Sequence, residues 1–462
     1  MEQGKSNSEI TLPKQLESKE KKKIFFNLLN LSFLNVLSFI LGNFVDLITL
    51  HFVSRLNDSS LTASEGLSKS WYSLCNVSII SGLLGPLNSF IPNYFGSKRN
   101  DKLNASFLIG LILSISTSLI IILILNISPF IMRILNFNDE LIPQCTLYLE
   151  IISFNIIPNS ILELFKIYIN GINKLWICTF ANTISVLLHP SMCYIFILHL
   201  DYGFAGAAIS KSITSLINLI LILILCMYLN ILPKIKMTLH FVKEEFKEYF
   251  KMMTDCIIVT GLDWWAYELI TILSAKLSSI DVASNVILQS MNLQIFMISN
   301  GIGYSSQALV GQAKGSNQIK RIPYIIKVSN ILNTILVGIS VVLIYIFQDY
   351  VISFYTNDQN VVNSIKNVFI FWGFVQLFDT NQGICSKIIN GLGFPNKMKT
   401  IVIISYYFVL IPFLIIFSRF IDYGVFGITI AIFLGAFSML SLEARHLYIN
   451  KIYEEKESLK KE

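Results

Sequence analysis

The sequence predicts an all-α polytopic membrane protein with twelve transmembrane helices in two six-helix lobes. Three observations lead to this fold class: a composition poor in charge, a series of long apolar stretches and an internal repeat. Of the 462 residues, 54% are hydrophobic and only 14% are charged, whereas a soluble domain carries about 25% charged residues. This composition excludes an ordinary soluble enzyme, a nucleic-acid-binding protein and a disordered scaffold.

Twelve apolar stretches are long enough to cross a bilayer, because a spanning helix needs about 20 mostly apolar residues. The predicted spans are 26–52, 66–92, 104–134, 141–168, 175–199, 203–229, 253–276, 282–308, 323–347, 362–389, 400–418 and 424–448. They predict a domain order of polar tail, N-lobe, amphipathic linker, C-lobe and second polar tail, at 1–23, 24–230, 231–252, 253–448 and 449–462. The aromatic residues of the linker predict a short helix lying on the membrane surface.

Lysine and arginine are concentrated in the loops on one side of the predicted bundle. That side carries the lysine-rich N-terminal segment and Lys98, Lys102, Lys174, Lys234, Lys243, Lys314, Lys320, Lys387 and Lys397. Because basic loops stay on the cytoplasmic side, we expect both termini in the cytoplasm. The membrane itself is either the plasma membrane or that of an organelle.

The two halves of the sequence resemble each other at a nearly constant offset of 219 to 221 positions, as an internal repeat requires. The matches are Asp201-Tyr202-Gly203 with Asp422-Tyr423-Gly424, Ile169-Asn170-Gly171 with Ile389-Asn390-Gly391, and Gly82, Gly96 and Ser97 with Gly301, Gly315 and Ser316. Six spans per half keep the halves in the same orientation, so a pseudo-two-fold axis along the membrane normal should relate them. A substrate cavity is then expected between the lobes.

An ionisable group inside a membrane span is costly and marks a transport pathway by default, and four carboxylates of the predicted spans are the candidates. They are Asp46, Asp263, Glu268 and Asp379. Such a group can take up a proton or attract a cationic substrate. Asp263 and Glu268 are five residues apart, which is about 140° around a helix, so they cannot face the same point of a regular helix.

The other ionisable groups of the spans have simpler interpretations. Glu163 and Lys166 are one helical turn apart and should neutralise each other, while Lys211 should snorkel or pair. The seven cysteines form no CxxC or Cys/His cluster, and no nucleotide-binding P-loop is present. We therefore expect neither an enzyme nor a cofactor, and we expect uphill transport to run on an ion gradient.

Several motifs resemble those of multidrug and toxic compound extrusion (MATE) transporters, and most closely those of eukaryotic members. They are Phe44-Val45-Asp46 with Val53-Ser54-Arg55-Leu56, then Asp263-Trp264-Trp265-Ala266-Tyr267-Glu268, then Gln376-Leu377-Phe378-Asp379 with Asn390-Gly391-Leu392-Gly393, and Tyr406-Tyr407 with Pro412. The resemblance implies two lobes that open alternately to each side and export organic, often cationic, compounds in exchange for H⁺ or Na⁺.

Carried over by position, the resemblance assigns coupling or substrate binding to the four carboxylates, with Na⁺ possible at Asp46 or Asp379. Further candidates for the cavity wall are Asn43, Trp264, Trp265, Tyr267 and Gln376. The chain departs from the family pattern at Ser290, where many eukaryotic members carry Glu, and it lacks proline early in spans 1 and 7. The expected partners are a small organic cation, H⁺ or Na⁺ and the lipid bilayer, with no nucleic acid, and the chain is expected to be a monomer.

Two alternatives remain at this point. A lipid-linked saccharide flippase of the same wider superfamily would often need more spans and a strongly cationic cavity. A membrane receptor or scaffold without transport activity would need neither carboxylates in the membrane nor a two-fold repeat.

Overall fold

The computed structural model describes residues 17–56, 59–134, 141–234, 239–274, 277–417, 421 and 423–454. Most of the two predicted tails lies outside these residues, as does segment 235–238 of the predicted linker. The described chain is built from helices, which follow one another in the order that the apolar stretches predict.

The first six spans form the N-lobe. Span 4 is broken into two helices bent by 55°, and the helix of span 2 is interrupted at Gly85-Pro86, where proline cannot donate a backbone hydrogen bond. The helices of spans 1 to 6 are Ser18–Ser54; Ser59–Tyr72, Ser73–Val77, Ser78–Leu84 and Leu87–Gly96; Asn100–Ile134; Ile142–Ser153 and Ile156–Gly171; Trp176–Cys193 and Tyr194–His199; and Gly203–Tyr228.

The last six spans form the C-lobe. A short helix, Gln348–Tyr355, connects spans 9 and 10, and the turn Ile452–Glu454 follows span 12. The helices of spans 7 to 12 are Leu239–Ser274; Ser279–Gly315; Ile319–Arg321 and Ile322–Ile346; Gln359–Gly391; Pro395–Val402, Ile403–Leu410 and Ile411–Ile415; and Gly424–Ala444 and Arg445–Ile449.

Nine spans of the described chain are long and apolar enough to cross a membrane, and the bent pair of span 4 makes a tenth. Spans 7 and 8 complete the predicted twelve with helices of 36 and 37 residues. Because each residue adds a rise of about 1.5 Å, these two helices exceed the thickness of a bilayer core. The predicted fold class is thus confirmed.

The predicted surface helix of the linker is wrong, because residues 239–252 continue into span 7 as one helix, Leu239–Ser274. This first part of the helix is amphipathic, but it packs on protein. Glu245 and Tyr249 are buried on one face, and the Tyr249 hydroxyl donates to the Leu83 carbonyl at 3.1 Å. Phe246 and Phe250 stack on the exposed face.

The turns that end corresponding helices repeat along the chain. Residues with positive φ recur 219 to 221 positions apart, in the pairs Lys98 and Asn317, Asn173 and Gly393, Gly203 and Gly424, and Asn230 and Lys451. Such left-handed positions are uncommon for residues other than glycine, so four matched pairs indicate the same loop geometry in both halves. The backbone therefore carries the internal repeat that the sequence predicts.

The two lobes contact each other at one end of the helix bundle. This end carries the loops around Lys98, Lys174, Lys314 and Lys397, and we call it the basic end. Spans 2 and 8 cross there with reciprocal contacts: Gly96 lies on the Gln312 backbone and Gly315 lies on the Asn93 backbone. A Cβ atom at either glycine would collide with that backbone. We call this crossing the glycine seam.

Polar side chains reinforce the glycine seam across the lobes. Asn35 of span 1 donates to the Ser305 hydroxyl of span 8 at 2.8 Å. Gln312 of span 8 accepts from Asn173 at 2.7 Å and donates to the Gly171 carbonyl at 2.8 Å. The basic end is therefore closed in this conformation.

Candidate functional site

The Asp379 carboxylate is the centre of a buried polar cluster in the C-lobe. Asp379 lies in span 10 and is 1% exposed. It accepts hydrogen bonds from the Tyr267 hydroxyl at 3.0 Å, Gln382 Nε2 at 3.3 Å and Asn292 Nδ2 at 3.5 Å. The three donors are neutral and come from spans 7, 10 and 8. Among the described residues, none forms a salt bridge with Asp379.

Asp263 lies one helical turn before Tyr267 on span 7, so both residues face the Asp379 cluster. The Asp379 carboxyl group and the Tyr406 hydroxyl lie close enough to act on Asp263, and so does the ammonium group of Lys387. Lys387 also rests over the Tyr304 ring, with Nζ 4.0 Å from the ring centroid. The C-lobe thus brings the carboxyl groups of Asp263 and Asp379 together, and the ammonium group of Lys387 acts on Asp263 as well.

Glu268 and the two tryptophans point elsewhere. Glu268 is exposed, and Trp264 and Trp265 are 46% and 54% exposed. The structure therefore brings Asp263 to Asp379 and leaves Glu268 apart, as the angular offset along the helix predicts.

Two predicted cavity residues have polar atoms that no hydrogen bond satisfies in the described chain. They are the Asn43 amide nitrogen and the Gln376 amide oxygen, both buried. Gln376 lies one turn before the Asp379 cluster on span 10. A buried polar group without a partner is costly. A ligand or a water molecule can therefore accept a hydrogen bond from the Asn43 nitrogen, and a ligand or water can donate one to the Gln376 oxygen.

The N-lobe carboxylate has a different environment. Asp46 Oδ2 accepts from Lys69 Nζ at 2.7 Å, and Asp46 Oδ1 accepts from Lys211 Nζ at 2.7 Å. Glu65, which is 4% exposed, lies close enough for its charge to act with both lysines. Two carboxylates and two ammonium groups therefore balance each other. We call Asp46, Lys69 and Lys211 the N-lobe triad.

Sequence reasoning predicted some of these pairings and missed others. Glu163 and Lys166 do pair, at 2.8 Å, as their i, i+3 spacing predicts, and Lys211 is paired rather than snorkelling. Glu65 and Glu443 were missed as candidates. Glu443 could have been identified from the sequence, because it is an acidic residue inside the predicted span 424–448.

The site can bind a cation or a proton on the C-lobe side and is already neutralised on the N-lobe side. No group of three or more His, Cys, Asp or Glu residues in the described chain is placed to hold a metal ion. The Asp379 cluster offers a carboxylate with neutral donors, which keeps its negative charge available to a ligand.

The MatE family model matches residues 35–195 and 256–416, so that each lobe carries one copy of the match. The two matches begin at corresponding positions of the internal repeat, 35 in the N-lobe and 256 in the C-lobe. Together they cover more than half of the chain.

Curated relatives and solved structures agree with this match. Multidrug and toxin extrusion protein 1 of Danio rerio is 21% identical over 87% of this chain and 68% of its own length. Protein DETOXIFICATION 49 of Arabidopsis thaliana is 24% identical over 89% of this chain and 83% of its own length. The fold is similar to that of the eukaryotic MATE transporter AtDTX14, with a TM-score of 0.83, 15% identity and coverage of 93% of this chain and 96% of that one. The chain therefore belongs to the MatE family of multidrug and toxin extrusion transporters.

Proposed function

We propose that this transporter exports organic cations in exchange for protons, with Asp263 and Asp379 as the groups that alternately hold proton and substrate. The observation that carries the proposal is the contrast between the lobes. Asp46 is held by two lysines, whereas Asp379 is buried with neutral donors alone. A proton or the positive charge of a substrate can therefore neutralise Asp379.

The chemistry of the Asp379 cluster favours H⁺ over Na⁺. The carboxylate accepts from one hydroxyl and two amide nitrogens, so N–H and O–H donors occupy its immediate surroundings. A sodium ion needs several oxygen ligands turned toward it, as other hard cations do. A proton needs one carboxylate oxygen alone, and the protonated carboxyl group can still accept hydrogen bonds at its other oxygen.

The closed basic end supports a proposal for the state of the transport cycle in which this conformation occurs. If the lysine-rich side is cytoplasmic, as the positive-inside rule predicts, the glycine seam closes the cytoplasmic side. The cavity between the lobes would then open outward, in a state ready to release substrate and to take up protons. The termini would lie in the cytoplasm, with the chain in the plasma membrane or in that of an organelle.

The lipid-linked saccharide flippase is the weaker alternative. Its pyrophosphate-bearing substrate would need free cationic groups in the cavity. The two lysines of the N-lobe triad already bind Asp46, and the C-lobe presents carboxyl groups. Membership in a transporter family also sets aside the receptor or scaffold alternative.

The decisive experiment is transport of ethidium by the purified full-length chain in proteoliposomes, with proton and sodium gradients imposed separately. We expect a pH gradient, but not a sodium gradient, to drive accumulation. Asp379→Asn and Asp263→Asn should each lower gradient-driven transport about tenfold or more, because the neutral amide can neither take up a proton nor balance a buried positive charge, and a loss of about 1.4 kcal/mol of stabilisation is already tenfold. Glu150→Gln, at an exposed carboxylate of span 4, is the matched control and should transport normally.

Two outcomes would contradict the proposal. Accumulation driven by sodium alone would assign the coupling to Na⁺. Normal pH-driven transport by Asp379→Asn at equal amounts of reconstituted protein would remove the C-lobe carboxyl groups from the coupling reaction, and the N-lobe triad would have to carry it.

A further inference from the structure

A second buried carboxyl group lies in the C-lobe, in span 12, outside the site described above. Glu443 is 0% exposed, and both of its carboxyl oxygens lack a hydrogen-bond partner among the described residues. It lies six residues before Ile449, the end of span 12, which is about 9 Å along the helix axis. Glu443 is therefore closer to the basic end than Asp379 is.

The surroundings of Glu443 contain acidic and thiol groups, and the nearby cations are engaged elsewhere. Asp263 of span 7 and Cys385 of span 10 lie close enough for their charges to interact with it. Span 11 contributes Tyr406, whose hydroxyl lies beside Asp263. On the helices that pack against span 12, Lys399 binds Asp255 at 2.6 Å and Lys314 binds the Leu392 carbonyl at 2.7 Å.

Two further cations lie on span 10 and span 12, and neither forms a salt bridge with Glu443 among the described residues. Lys387 of span 10 rests over the Tyr304 ring. Arg445 lies two residues after Glu443 and is exposed, because a separation of two places a residue on the opposite side of a helix. His446 and Tyr448 belong to the same terminal segment, Arg445–Ile449.

These surroundings determine the charge of Glu443 in this conformation. An ionised carboxylate that has neither donors nor a paired cation is strongly disfavoured in a protein interior. The group is therefore neutral here, which means that it carries a proton. A role in packing alone does not explain this residue, since an apolar side chain of similar size would fill the space without burying two polar atoms.

The turn that follows span 12 is packed against the protein. After span 12 the chain turns at Lys451, which has a φ of 46°, and forms the turn Ile452–Glu454. Ile452 and Tyr453 of that turn are 0% and 6% exposed and belong to the main hydrophobic core of the described chain. The end of span 12 nearest to Glu443 is therefore packed against protein in this conformation.

We propose that Glu443 carries a proton of the exchange cycle, holding it while the basic end is closed and releasing it to that side when the basic end opens. This inference rests on the proposed exchange of protons. In the releasing step, the O–H bond of the Glu443 carboxyl group breaks, and water at the basic end takes the proton. The resulting carboxylate is reprotonated by the Asp263 carboxyl group, which becomes ionised and free to attract the next cation.

The test measures protons and ethidium together in proteoliposomes of the full-length chain, with pyranine in the lumen to report proton flux. The variants are Glu443→Gln, which fixes the neutral form at the same size, and Arg445→Gln as the matched control on the same helix. We expect Glu443→Gln to move about one proton fewer per ethidium. It should retain ethidium counterflow within about twofold, because counterflow needs no net proton movement. Arg445→Gln should match the wild type in both measurements.

Each result decides between the inference and the proposed function. An unchanged ratio of protons to ethidium in Glu443→Gln, with a proton-coupled wild type, overturns the role of Glu443 alone. A loss of counterflow in Glu443→Gln also overturns it, since the residue would then serve folding or binding. Glu443→Asp, which keeps a carboxyl group, should restore the wild-type ratio. A wild type without proton flux overturns the proposed function and this inference together.

Discussion

At the scale of single residues, the carboxylates inside the membrane have different partners in the two lobes. In the N-lobe triad, Asp46 is neutralised by Lys69 and Lys211, which come from two other spans. In the C-lobe, Asp379 accepts only from neutral groups. The negative charge of Asp46 is therefore a structural requirement of its lobe, while that of Asp379 is available for a ligand.

This contrast predicts that Asp46→Asn destabilises the protein, because two ammonium groups would then share Glu65 as their one nearby carboxylate. The expected loss in the free energy of unfolding is about 1–3 kcal/mol, between the values for exposed and fully buried pairs, since the Asp46 side chain is 27% exposed. The measurement is unfolding of the purified protein by SDS in mixed micelles, followed by tryptophan fluorescence.

Two further variants make this test specific. Asp46→Asn combined with Lys211→Met should recover at least half of the loss, because one uncompensated charge is removed. Asp349→Asn, in the exposed pair of Asp349 with Lys366, should cost less than about 0.5 kcal/mol. Equal effects at Asp46 and Asp349 would show that the triad is no stronger than an ordinary surface pair.

The sequence was informative at this scale where the relevant contact is local. The Glu163–Lys166 pair followed from its spacing within one helix, and the cost of burying charge identified Asp46, Asp263 and Asp379. The pairing of Asp46 with Lys211, far away along the chain, could not be predicted, because it depends on how spans 1 and 6 pack. The neutral donors of Asp379 also come from three different spans.

At the scale of elements, the helix Leu239–Ser274 connects the lobes and also begins the C-lobe. Its first turns are fixed to the N-lobe by Glu245, whose side chain is 2% exposed and binds Lys102 at 2.6 Å. Glu245 also accepts from the Tyr94 hydroxyl. The sequence pattern was misleading here, because it shows an amphipathic helix without showing whether lipid or protein covers the buried face.

This arrangement predicts that Glu245→Ala loosens the connection between the lobes. It leaves the ammonium group of Lys102 without its anion and removes the acceptor of Tyr94. Breaking a buried pair in this way costs about 3–5 kcal/mol, and we expect a loss at the lower end because Lys102 is 30% exposed. The SDS unfolding assay measures it. Lys247→Ala, at an exposed position of the same helix, is the control, and an equal loss there would contradict the bracing role of Glu245.

At the scale of the whole molecule, the glycine seam determines which end of the bundle can close. Gly96 and Gly315 are related by the internal repeat, and each lies against the backbone that the other's helix presents. The repeat itself was visible in the sequence from these same glycines. The sequence does not show whether the basic end is open or closed. Glycines allow two helices to cross closely, but their presence does not show whether the two helices are in contact.

The seam predicts that Gly96→Val shifts the molecule away from the state with a closed basic end. Forcing a side chain into a close contact costs about 1–3 kcal/mol, so amide hydrogens of 93–97 and 312–316 should exchange about tenfold faster. Hydrogen–deuterium exchange with mass spectrometry measures this. Gly338→Val is the control, since nothing lies within 4 Å of a Cβ atom there. Unchanged protection in Gly96→Val would show that the seam does not hold the basic end closed.

The matched turns at Asn230 and Lys451 have a consequence for the history of the molecule. Each lobe ends in the same left-handed turn, at corresponding positions of the repeat. The first helices of the two lobes, Ser18–Ser54 and Leu239–Ser274, also begin at corresponding positions, as copies of one six-span unit would. In a symmetric pair of separate subunits, every substitution would appear twice. In a single chain each copy can change alone, and the two lobes do differ: the N-lobe carries the ion triad, and the C-lobe carries Asp379 with neutral donors.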